Sequence, residues 1–85
     1  MSYSYEEMSD EQLDIQDDLE MLRDVLAYEL QAINQYQEHL LYLENEEAAS
    51  TLEHIIEQEK EHVAELLRVI QTLDPVQAEK FKRIL

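Results

Sequence analysis

Residues 52–73, LEHIIEQEKEHVAELLRVIQTL, hold the pattern on which the reading of the whole chain turns. Leu52, Ile55, Glu59, His62, Leu66, Val69 and Leu73 advance by alternating steps of three and four. That period keeps them on one stripe of an α-helix and is incompatible with the two-residue period of a strand. The stripe is apolar except at Glu59 and His62. Upstream, Leu19, Leu22, Leu26, Glu29, Ile33, Tyr36, Leu40 and Leu43 form a matching stripe, broken only by Glu29. Between the two, the polar run Glu44-Asn45-Glu46-Glu47 marks a turn. In a chain without glycine, Asn45 is the expected left-handed C-cap of the first helix.

The outer boundaries are marked as clearly. Ser9 to Gln12 reads S-x-x-Q, the signature of a capping box, so the first helix is expected to begin near Asp10. Residues 1–9 show no periodicity before it and are expected to be disordered. Asp74-Pro75 supplies an N-cap followed by proline at the first helical position, which predicts a third short helix over 75–84. Its expected anchors are Val76, Phe81 and Leu85, and its expected role is that of a lid or an oligomer contact. The fold class that follows is all-α: an antiparallel two-helix hairpin plus a short C-terminal helix, in one domain over 10–85.

Composition narrows the chemistry. A chain of 85 residues leaves much of its apolar surface uncovered unless it finds a partner, so oligomerisation is expected. Cysteine is absent, which removes disulfides, thiolate metal sites and thiol catalysis; any metal must be held by oxygen and nitrogen ligands. The net charge of -15 argues against a phosphate backbone as partner, because such binding rests on Lys and Arg and the chain has only six. The same field draws cations. There is no basic and apolar leader over residues 1–9, and no apolar run approaches the roughly 18 residues of a membrane span. The expectation is a soluble intracellular protein, with neither nucleic acid nor membrane as partner.

The stripe exceptions meet at one height. With the reversal at about residue 45, Glu29 lies 16 residues before it, and Glu59 and His62 lie 14 and 17 after it. At about 1.5 Å per residue, all three sit roughly 20 to 25 Å from the turn. A carboxylate in an apolar seam is costly unless it takes up a proton, pairs with a cation or binds a metal. Arg23, Lys60, Arg68, Lys80, Lys82 and Arg83 all fall off the two stripes, which favours a metal. Glu-x-x-His on a helix also places an oxygen and a nitrogen ligand on adjacent turns of one face. Against this stands a purely structural reading, in which a buried polar layer fixes helix register. Tyr36 is equally a core aromatic or a hydrogen-bonding and redox group near the site. His39 and His54 lie away from the candidate ligands and default to the surface, as do Glu57, Glu61 and Glu65.

Glu29 to Tyr36 (ELQAINQY) followed by Glu59 to His62 (EKEH) resembles the ferritin-like superfamily, in which such acids and histidines converge on paired iron ions. The half-length format, with the two glutamates 30 residues apart and a short third helix, looks like the encapsulated ferritins. That resemblance spans about residues 15–85. It implies Glu29, Glu59 and His62 as metal ligands and Tyr36 close by. It also implies dimerisation into a four-helix bundle with two iron ions per dimer, a decameric ring, and an encapsulin shell as partner. The implied activity is that of a ferroxidase, oxidising Fe(II) to Fe(III) for storage or detoxification, in the cytoplasm within an encapsulin compartment. Acidic residues flanking the first ligand in that family correspond here to Tyr28 and Gln31. A rubrerythrin-like peroxide-reducing protein and a non-catalytic helical assembly module are the competing expectations.

Overall fold

A computed structural model describes residues 7–85. Helix α1 spans Asp10–Leu40, α2 spans Glu46–Leu73 and α3 spans Pro75–Ile84; among the described residues there are three helices and no strand. The expected disordered stretch over 1–9 falls largely outside the described residues.

Each helix starts where a side chain can satisfy the backbone N–H groups that a first turn leaves unpaired. At α1 the Gln12 backbone N–H donates to Ser9 Oγ at 3.2 Å, and the Ser9 backbone N–H donates to Gln12 Oε1 at 2.8 Å, completing the capping box. Asn45 Oδ1 accepts from the Ala48 backbone N–H at 2.8 Å and so caps the start of α2. Asp74 Oδ1 accepts from the Gln77 backbone N–H at 3.1 Å at the start of α3, ahead of Pro75 at the first helical position.

The turn corrects two expectations. Asn45 is not a left-handed C-cap of α1; its φ of -74° and ψ of 125° are extended, and its amide serves the helix that follows. No described residue has a positive φ. Helix α1 stops at Leu40 rather than continuing through Leu43, and the connection over 41–45 leaves Leu41 and Tyr42 exposed. An N-capping amide can begin a new helix only by ending the previous one earlier, so the whole polar run belongs to the entrance of α2.

The seam between α1 and α2 is also rotated from the stripe of residues 52–73. Leu19, Ile56 and Ile70 are the buried apolar residues among those described, with Leu26, Ile33, Leu40, Val63 and Leu67 half-buried around them. Ile56, Val63, Leu67 and Ile70 form a second apolar line on α2, about one residue, or 100°, from the line through Ile55, His62, Leu66 and Val69. The doublets Ile55-Ile56, Leu66-Leu67 and Val69-Ile70 are its trace in the sequence. An apolar arc this wide serves two neighbours, and only one of them is α1.

Helix α3 folds back along the hairpin. Phe81 and Gln77 border a groove with Arg23, Leu26, Leu67 and Ile70, and the Arg23 guanidinium donates to Asp74 Oδ2 at 2.9 Å. Of the three expected anchors only Phe81 borders this groove, and it is itself 40% exposed. Val76 is 56% exposed and Leu85 is 88% exposed, so both are corrected from anchors to surface residues. Their helix turns its Phe81 side inward, and Val76 lies on the opposite side. The molecule measures 56 × 26 × 15 Å. Its shortest dimension is little more than one helix diameter of about 10–12 Å, so over most of its length it is a single layer of helices.

Candidate metal centre

Glu29 on α1 and Glu59 and His62 on α2 come together within one chain. Antiparallel packing sets their helices side by side, and the three-residue step from Glu59 to His62 stacks those two side chains on neighbouring turns. His62 Nδ1 lies 3.7 Å from Glu59 Oε1 and 3.8 Å from Glu29 Oε2. Among the described residues this is the only set of three or more His, Cys, Asp or Glu side chains with ligand atoms all within 4.8 Å of one another.

These separations are too long for hydrogen bonds, so the three groups converge without satisfying each other. Glu29 Oε2 is shielded from solvent and accepts no hydrogen bond. A buried carboxylate oxygen left in that state is destabilising, and its position calls for a donor or a cation. Arg68 reaches the rim of the same groove, which the sequence stripes did not indicate, but makes no ion pair with Glu29 or Glu59 among the described residues. Two carboxylate oxygens and one imidazole nitrogen suit a first-row divalent ion. Their spread of up to 4.8 Å is close to twice a metal–ligand bond of about 2.1 Å. The donor set and the orphaned oxygen therefore fit a metal, with ligand positions left over.

The site is open on one side. A groove of about 460 Å³ contains Glu29 and His62 between the apolar side chains of Leu22, Val25, Leu66 and Val69, with Glu65 and Arg68 at its edge. His62 has a half-exposed side chain, whereas those of Glu29 and Glu59 are about one-quarter and one-fifth exposed. The groove lies on the opposite side of the α1/α2 seam from α3. Tyr36 is half-buried, on the same side of α1 as Glu29, and two turns or about 10 Å further along the axis. His39 and His54 are both exposed and stand apart from the cluster.

No protein-family model matches the chain. Over 67 residues it is 36% identical to the encapsulin nanocompartment cargo protein EncB of Myxococcus xanthus, covering 79% of this chain and 42% of that one. Over 64 residues it is 39% identical to the cargo protein EncC of the same organism, covering 72% of this chain and 49% of that one. These relatives are encapsulin cargo proteins. A third, the ferritin-like-encapsulin shell fusion protein of Pyrococcus furiosus, is 36% identical over 64 residues, 75% of this chain and 19% of that one. The chain thus spans less than half the length of the curated relatives it matches. Among solved structures, the crystal structure of protein ne0167 from Nitrosomonas europaea superposes with a TM-score of 0.75 at 29% identity, covering 98% of this chain and 87% of that one. Among the described residues no helix is long and apolar enough to cross a membrane.

Proposed function

We propose that this chain is half of a ferroxidase centre: two copies join their open apolar grooves into a four-helix bundle, and Glu29, Glu59 and His62 of each copy together bind two Fe(II) ions. The observation that carries this reading is the shielded, unpartnered Glu29 Oε2 beside Glu59 and His62, in a groove whose walls are otherwise apolar. Doubling the set gives four carboxylates, whose charge balances two dications. The bundle would also cover Leu22, Val25, Leu66 and Val69, supplying the second layer that a single hairpin lacks.

Fe(II) is the substrate. Two ferrous ions each release one electron, and dioxygen with two protons accepts both to give hydrogen peroxide, leaving Fe(III) for mineral storage. The protein contributes charge, to gather the cations, and a fixed set of ligands that suits the ferric product more than the ferrous reactant. His62, the most exposed of the three, is the ligand an arriving ion meets first. Similarity to named encapsulin cargo proteins supports a shell of that kind as the compartment receiving the product. A ring of dimers inside it is part of the same proposal.

Anaerobic titration with Fe(II) tests the reading. Uptake should saturate near one iron per chain, and admission of air should then produce a near-ultraviolet Fe(III) absorbance. A titration without saturation would remove the ferroxidase reading and leave a helical assembly module. Faster oxidation by peroxide than by dioxygen would instead favour peroxide reduction at the same centre.

A further inference from the structure

His62 has a carboxylate on each neighbouring turn of α2. Glu59, His62 and Glu65 follow one another in steps of three, so their side chains stand in one oblique row, with successive members about 4.5 Å apart along the axis. Glu59 belongs to the ligand cluster and Glu65 does not. Glu65 nevertheless lines the same groove as Glu29 and His62, and Glu29 and Glu65 are the two carboxylates that do so among the described residues. Side chains on a helix lean towards its N-terminus, so that of Glu65 lies over the turn that carries His62.

The imidazole limits what a carboxylate at that position can do. His62 turns Nδ1 to Glu59 Oε1 and Glu29 Oε2, at 3.7 and 3.8 Å. An ion held among the three takes the lone pair of Nδ1, so the ring proton belongs on Nε2, which points away from those two carboxylates. In metal sites that second N–H is almost always donated to a carboxylate, a backbone carbonyl or water, and the bond fixes both the tautomer and the angle of the ring. The backbone carbonyls around His62 are already taken by the hydrogen bonds of α2. Arg68 stands a further three residues on and lines the same groove. It offsets the charge of Glu65, whereas Glu29 and Glu59 have no Lys or Arg as ion-pair partner among the described residues. That difference suits Glu65 to accept a hydrogen bond rather than to bind the ion. Neither the Glu65 nor the Arg68 side chain has a hydrogen bond or ion pair of its own among the described residues, so both are free for this arrangement.

We propose that Glu65 is a positioning residue of the metal centre: it accepts the Nε2–H of His62 and so aims Nδ1 at the ion, while Arg68 holds its other oxygen. The inference rests on the reading of Glu29, Glu59 and His62 as metal ligands. Glu65 is exposed in the single chain, and a second copy closing the groove takes its bond to His62 out of water and strengthens it.

Zinc, which binds oxygen and nitrogen ligands without redox chemistry, tests this on the full-length protein. In proton–nitrogen spectra of the zinc-loaded chain, His62 should show a metal-bound Nδ1 and a slowly exchanging Nε2–H. Glu65→Ala should remove that proton signal and weaken zinc binding about ten-fold or more. Glu65→Gln, whose amide oxygen still accepts, should keep the signal and lose less affinity. Glu61→Ala removes a neighbouring acid that does not line the groove, and should leave zinc affinity nearly unchanged. The inference is overturned if Glu65→Ala keeps the wild-type affinity or the proton signal, or if Glu61→Ala loses as much affinity as Glu65→Ala. X-ray absorption that finds one oxygen fewer around zinc in Glu65→Ala would make Glu65 a ligand, and would overturn it too. Because zinc is not oxidised, each of these results leaves the ferroxidase reading standing. A wild type that binds zinc with this dependence on Glu65 but oxidises no Fe(II) would remove the ferroxidase reading alone.

Discussion

Glu29 is where structure and chemistry oppose each other. Its Oε2 lacks any donor in the metal-free chain, so the residue weakens the hairpin that positions it. Replacing it with leucine completes the apolar stripe from Leu19 to Leu40. Glu29→Leu should therefore raise the stability of the metal-free protein by about 1 kcal/mol, a rise of roughly 5 °C in Tm for a domain of this size, while abolishing saturable Fe(II) uptake. Thermal unfolding in chelator and iron titration measure the two halves of this prediction. Glu59→Ala should also abolish uptake, but without that gain in stability, because alanine neither fills the stripe nor relieves Glu29. Tyr36 stands two turns from Glu29 and outside the ligand cluster. Tyr36→Phe is expected to leave the iron stoichiometry unchanged and to slow oxidation several-fold; a stoichiometry that fell with it would make Tyr36 a binding residue instead. Glu29 and Glu59 were legible in the sequence because each is a polar exception on an apolar helical line, whereas Tyr36 continues its line as an aromatic member. Arg68 was not legible, because a long side chain reaches the groove from a position off that line.

At the scale of the element, Asp74 serves two helices at once. One oxygen caps α3 through the Gln77 N–H, and the other accepts from Arg23 of α1. The ion pair is partly exposed, with Arg23 at 45%, and such pairs contribute about 0.2–1 kcal/mol, whereas loss of an N-cap costs about 1 kcal/mol. Asp74→Ala should thus cost about 1 to 2 kcal/mol and Arg23→Ala no more than about half of that, as denaturant unfolding of the two variants would measure. Equal losses would mean that the contact with α1, and not the cap, holds α3 in place. The starts of α1 and α3 were legible, since Ser9 and Asp74 act on backbone groups within three residues, whereas Asn45 reads from sequence as a C-cap of α1 and is instead the N-cap of α2. The end of α1 was not. Leu43 continues the period of its stripe, but Asn45 caps α2, and the chain must leave the helix before it can enter the next one.

For the whole molecule, three buried apolar residues among those described and a 15 Å thickness make a thin structure, and its stability should depend on association. The apparent Tm is expected to rise by several degrees over a hundred-fold increase in protein concentration. Leu66→Asp, in the wall of the metal groove and off the α1/α2 seam, should leave the helical content unchanged while preventing pairing at that face and reducing iron oxidation at least ten-fold. Oxidation at the wild-type rate by a monomeric Leu66→Asp protein would show that one chain suffices. The sequence by itself determined the helices, their antiparallel order and the matched heights of Glu29, Glu59 and His62, because periodicity, caps and rise per residue are all local quantities. Only the tertiary structure decided which of two apolar lines on α2 meets α1. It seats Ile56 and Ile70 in the seam and leaves Leu66 and Val69 beside the metal groove. Adjacent apolar doublets make an arc whose two halves are equally greasy, and the choice between them depends on how α1 and α3 divide that arc in space.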